Sequence, residues 1–178
     1  MADWHSMYIN CGGQNVKTNG STYEGDAAAS SGAAIFYRSE DEWGISSTGD
    51  FMDDNDFQNR AYIENMPSLN INELYQTARV SPISLTYYHR CLENGNYTVS
   101  LHFAEIRFKN DNTYNSLGRR LFDVYIQVII YMICRLWIGL NNTVSQLRVA
   151  ICSYLHIWAV VLILCRVASR IHFRMLYF

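Results

Sequence analysis

The chain has 178 residues, enough for one domain with a core of ordinary size. Its formal charge of −2 averages two unlike parts: all 16 acidic residues lie between Asp3 and Asp123, whereas residues 124–178 carry five arginines and neither acid nor lysine. An acidic first part without a basic stripe argues against nucleic acid as a partner, because phosphate binding needs a cationic face.

In chain order, MYINCGG (7–13) is a short apolar run closed by Gly12-Gly13 and predicts a first strand and turn. Residues 14–34 are rich in Asn, Gly, Ser, Thr and Ala and read as a long surface loop. IFYRS (35–39) predicts a short strand, and WGISSTGDFMDDNDF (43–57) a loop anchored by Trp43. AYIENM (61–66), ELYQTARVSP (73–82, ended by Pro82) and ISLTYYHRCL (83–92) predict further strands. Next comes CLENGNYTVSLHFAEIRF (91–108). Its Glu93-Asn94-Gly95-Asn96 is a turn composition, and Tyr97, Val99, Leu101 and Phe103 then alternate with Thr98, Ser100 and His102. Period-two alternation marks a strand with one face on a core. KNDNTYNSLGRR (109–120) reads as a loop and LFDVYIQVII (121–130) as a last strand. Short strands joined by Gly/Asn/Ser loops, without amphipathic helices, indicate an all-β sandwich or barrel.

Signs of catalysis are lacking: the sequence holds no GxSxG, HExxH, P-loop or GxGxxG, and no protein-kinase signature. The acidic run DDND (53–56) fails as an EF-hand because Phe57 falls where a ligand is needed, so it reads as a solvated loop. The five histidines show no metal-ligand spacing, and His102 reads as a surface histidine. The expectation is therefore a non-catalytic chain with no cofactor and no metal. Five cysteines include no CxxC pair, and only Cys11 and Cys91 lie in the acidic part, where a pair between them is compatible with the reading. Asn19, Asn96 and Asn141 head N-glycosylation sequons. The opening MADWHSMYINC has no apolar core of signal-peptide length. Tyrosine stands out, with 13 in the chain, many at predicted loops and strand ends; such rings offer apolar faces to sugar C–H bonds and a hydroxyl to water or ligand.

INCGG (9–13), YEGD (23–26), SSTGDFMDD (46–54), LYQTARVSPISLTYY (74–88), CLENGNYTVSLHFAEI (91–106) and RRLFDVYIQ (119–127) together resemble a malectin domain. The resemblance is to the version outside the membrane in plant leucine-rich-repeat receptor-like kinases, and it covers residues 7–127. It implies an incomplete malectin-like jelly-roll β-sandwich and carbohydrate recognition, with Cys91 as the partner of Cys11. Matched to the family's motifs, Tyr23, Tyr87 and Tyr88 are the carbohydrate-binding residues it implies. Val80 stands where malectin has a tyrosine, and the family's late aspartate belongs to strands that the resemblance does not reach. Sugar binding is therefore expected to be impaired, at best millimolar for glucose disaccharides.

After Gln127 the family pattern stops and an apolar, basic tail (128–178) follows. Two readings stay open: a membrane helix over 149–165, with Arg166, Arg170 and Arg174 on the cytoplasmic side, or translated non-coding sequence. Either leaves the sandwich with unpaired edges. The functional expectation is a glycan-binding module, its partner a glucose-containing or cell-wall glycan, at the extracellular face of the plasma membrane, with membrane association through the tail. The alternative is a protein-interaction module that supports pairing with another receptor ectodomain, without sugar binding.

Overall fold

A computed structural model describes residues 6–27, 32, 34–50, 62–65, 72–90, 95–104, 106, 123–126, 129–132, 144–153, 159–164 and 167–169. Among these the regular structure is strand, apart from one 3-10 turn.

The first described strand is β1 (Ile9–Asn10), which pairs in parallel with β3 (Ser21–Gly25), itself antiparallel to β2 (Val16–Thr18). Residues 14–34 are thus not one long loop. Asn19 and Gly20, with φ of 50° and 79°, close a two-residue hairpin between β2 and β3. Both central residues at positive φ make the primed turn that matches strand twist, and Asn-Gly supplies it at least cost.

The larger sheet has the order β11-β10-β13-β8-β5-β4, from β4 (Ile35–Arg38), β5 (Trp43–Thr48), β8 (Ser84–His89), β10 (Asp123–Ile126), β11 (Ile129–Met132) and β13 (Ala159–Leu164). The expected loop from Trp43 therefore begins as a paired strand. Its Trp43 and Ile45 are buried, and its Gly44 lies opposite Tyr88. A Cβ on Gly44 would fall 2.2 Å from the Tyr88 hydroxyl and 2.7 Å from the Tyr37 carbonyl, so the small residues that suggested a loop are what let β8 lie close.

A second group contains β6 (Ile63–Asn65), β7 (Thr77–Ser81) and β14 (Val167–Ser169) in the order β14-β7-β6. Beside β14 runs β9 (Gly95–Ala104), paired over ten residues with β12 (Val144–Ser153). The expected strand over 73–82 is divided: Glu73–Tyr75 form a 3-10 turn, capped by the Asn72 side chain accepting from the Leu74 N–H at 3.0 Å, and β7 follows. The alternation in β9 holds, with Tyr97, Val99, Leu101 and Phe103 all at most 1% exposed. His102 is half-buried instead of free on the surface, because the Tyr75 hydroxyl lies 2.5 Å from its Nδ1.

The tail departs from expectation. A helix over 149–165 is not formed in the described residues: 149–153 belong to β12 and 159–164 to β13. The run AVVLIL is apolar throughout, a pattern that fits a mid-sheet strand as well as a helix, and β13 lies between β10 and β8 with partners on both sides. No helix among the described residues is long and apolar enough to cross a membrane. Unpaired edges are expected where the family pattern stops; β13 and β12 lie along β8 and β9 there. DDND (53–56) lies outside the described residues.

Candidate functional site

Gly12 follows the end of β1 with φ +72°, a left-handed conformation in which glycine is favoured, and a Cβ there would sit 2.7 Å from the Ala78 backbone. This tight turn aims the Gly12 N–H at the Asp26 carboxylate, which is fully buried just beyond β3. Asp26 Oδ2 also accepts from Arg79 Nε at 2.9 Å and from the Tyr87 hydroxyl at 2.5 Å, and its carbonyl accepts from Arg79 Nη2 at 2.7 Å. Burial pulls the Arg79 guanidinium down, but Asp26, with Tyr87 and Cys11 beside it, offsets this and the net shift is upward. Burial, then the Asp26 charge, push the Tyr87 phenol well up, so it stays a donor. One carboxylate thus joins the first turn, β3, β7 and β8. Nothing in this cluster is open to a ligand; it is the scaffold.

On that scaffold lies a cleft of about 480 Å³, lined by Gln14, Asn15, Glu24, Gly25, Tyr37, Ser39, Asp41 and Trp43. Asn15 Oδ1 accepts from the Gly25 N–H at 2.7 Å, which holds the amide at the wall. Trp43 Nε1 donates to Glu24 Oε2 at 2.5 Å, and the Tyr37 ring lies 5.9 Å from the indole, tilted by 59°. The Glu24 carboxyl is raised, first by burial and then by the nearby Asp41 charge, with the indole hydrogen bond working against both. Ser39 Oγ accepts from the Asp41 N–H at 3.2 Å. The cleft therefore offers carboxylate and amide acceptors, amide and hydroxyl donors, and an aromatic wall, which suits a ligand rich in hydroxyls. No group of three or more metal-ligating side chains occurs among the described residues.

The sequence-derived trio does not share this surface. Tyr87, expected as a sugar contact, has 0% exposure, and its hydroxyl donates to Asp26. Tyr88, one residue on, projects to the opposite face of β8. It is buried against Phe36, the two rings stacked at 6.1 Å and 15°. Tyr23 is half-buried on β3, edge-on to Tyr8 at 5.2 Å. Val80, the replaced aromatic of the family site, is 1% exposed in β7. Cys11 is buried, while Cys91 lies outside the described residues. Asn19 is exposed at its hairpin tip; Asn96 lies in β9 opposite Cys152 of β12, and Asn141 is outside the described residues. Glu24, inside the YEGD motif, and Trp43, the expected anchor, were the legible parts of the cleft. Gln14, Asn15 and Asp41 carried no signal.

The profile of the Malectin domain family matches residues 5–132. Among curated proteins, the chain is 55% identical over 126 residues to the probable LRR receptor-like serine/threonine-protein kinase RFK1 of Arabidopsis thaliana, covering 68% of this chain and 12% of that protein. A second probable LRR receptor-like serine/threonine-protein kinase of that plant is 48% identical over 130 residues, covering 69% of this chain and 13% of the relative. The chain thus spans about an eighth of the curated relatives it matches. Among solved structures, the ANX1 ectodomain of Arabidopsis thaliana superposes with a TM-score of 0.55 at 16% identity, over 96% of this chain and 48% of that one. At that identity the likeness concerns the fold, and it extends over the tail strands.

Proposed function

Because this chain belongs to the malectin family, we propose that it is a non-catalytic glycan-recognition module of a receptor-like kinase ectodomain, on the extracellular face of the membrane. The observation that supports this is the convergence, in one cleft, of the Glu24 and Asp41 carboxylates, the Gln14 and Asn15 amides and the Tyr37–Trp43 wall. Sugars are held by such mixtures, hydroxyls on polar side chains and C–H faces on rings. Affinity is weak, at best about millimolar for glucose disaccharides, since with Val80 in place of an aromatic too few groups remain to offset the freedom lost on binding. Titrating the full chain with glucose oligosaccharides by heteronuclear NMR is expected to move the amides of Asn15, Glu24, Tyr37 and Asp41 together. Asn15→Ala and Tyr37→Ala weaken that response. Absence of any response on these residues overturns the reading.

A second reading, a surface for another receptor ectodomain, is favoured by Phe36. It is 73% exposed on β4, the edge of the six-stranded sheet, and stacks on Tyr88. Large exposed aromatics on an edge strand are typical of protein contacts. Capture of a receptor ectodomain that is lost in Phe36→Ser, with the cleft silent toward glycans, selects it.

A further inference from the structure

We propose that Glu24 and Asp41 form a charge filter that admits uncharged glycans to the cleft and turns away glycans bearing carboxylates. The inference rests on the glycan reading above and adds the ligand's charge class to it.

Two of the eight lining residues are acidic, and none is Lys, Arg or His. Two arginines near the β4–β5 turn, Arg38 and Arg90, are engaged by Glu42. Glu42, the residue after Asp41, pairs with Arg90 and, at 3.5 Å, with Arg38. Its φ of +64° turns the chain at that point, between Asp41 on the cleft wall and Trp43, which returns into the sheet. Among the described residues no ion pair joins Glu24 or Asp41 to a basic side chain. Glu24 is also half-buried and fixed by the Trp43 indole, so it cannot swing away into solvent when a ligand arrives. A uronic acid entering here brings a further negative charge next to two that lack a counter-cation, and like charges brought together in a partly desolvated cleft repel. A neutral hexose meets the same oxygens as hydrogen-bond acceptors and incurs no such repulsion.

The test compares a glucose tetrasaccharide with a galacturonic acid tetrasaccharide, each titrated into the full chain by NMR at low salt and at high salt. The filter predicts binding of the neutral sugar and at least about tenfold weaker binding of the uronate at low salt, the gap shrinking at high salt as screening sets in. Asp41→Asn, at an exposed position where folding is not at risk, narrows the gap by strengthening the uronate. Glu24→Gln, which keeps an acceptor for the indole, does the same. Uronate binding as tight as the neutral sugar's, or a gap that neither salt nor Asp41→Asn changes, overturns the filter and leaves the glycan reading standing. Failure of both sugars to bind overturns the two together.

Discussion

Arg79 Nε donates to Asp26 Oδ2 at 2.9 Å, and the two side chains are 2% and 0% exposed. The pair is 53 residues apart in sequence and joins β7 to the end of β3. A buried ion pair adds little over an apolar substitute, but removing one partner leaves the other charge stranded, at a cost of about 3–5 kcal/mol. Asp26→Ala is therefore expected to unfold the domain or lower its stability by that amount in urea denaturation. It also removes the acceptor of the Tyr87 hydroxyl and of the Gly12 N–H. A loss below about 1 kcal/mol, the size of an ordinary surface change, would show that the carboxylate is not what joins these strands.

His89 sets an acid limit. Burial holds its imidazole down to about 4, only partly opposed by Glu42 and Asp41, against an ordinary value of 6.5. The unfolded chain takes up the proton first, so stability falls as pH drops from 6.5 towards 4 and is constant above that window. The full effect is about 3 kcal/mol. His89→Leu flattens this part of the profile, and an NMR titration of the His89 ring places its midpoint near 4. A midpoint near 6.5, the ordinary value, would contradict it.

Gly12 has no room for a side chain. With φ at +72° and a Cβ position 2.7 Å from the Ala78 carbonyl carbon, Gly12→Ala meets both backbone strain and a clash with another strand's main chain. The expected cost is about 2 kcal/mol or more. Gly20→Ala, in open space at the hairpin tip though also at positive φ, carries the strain without the clash and serves as the comparison. Equal losses in the two variants would mean that the contact with β7 does not matter.

Truncation after Met132 removes β12, β13 and β14, and with them one hydrogen-bonded neighbour of each of β9, β8, β10 and β7. Strands opened in this way expose unpaired backbone and apolar faces. The shortened chain is expected to bind a hydrophobic dye, associate, and lose its cooperative thermal transition. A monomer that melts like the full chain would show that residues 133–178 contribute nothing to the fold.

Much of this was legible where side-chain parity speaks. The alternation from Tyr97 to Phe103 names both the strand and its buried face. Parity is silent for VKT and STYEG, whose polar side chains bury little, so the hairpin between them showed only in the Asn19-Gly20 pair. WGISST looked like a loop because its glycine and serines suit turns; in the sheet, Gly44 instead makes space for Tyr88. The two adjacent tyrosines of β8 are separated by one step of register. Tyr88, and with less weight Tyr87, matched the family's aromatic pair in sequence, yet Tyr87 points at Asp26, a partner 61 residues away that no local pattern reveals. The cleft is assembled from the turn after β1, from β3 and from the β4–β5 connection, and such a meeting of distant segments leaves no motif.

The place of β13 has a consequence for synthesis. Tyr88 on β8 waits for Val160, and Asp123 on β10 for Leu164, before either strand gains its second neighbour in the six-stranded sheet. A ribosome adding about 5–20 residues per second leaves β8 with one edge bare for several seconds. During that interval β8 and β10 lack the strand that joins them in the sheet. Pairings so far apart in the chain also form slowly once available. Until then β8 is covered on one edge by β5 alone, and its other edge stays open to pairing with another chain.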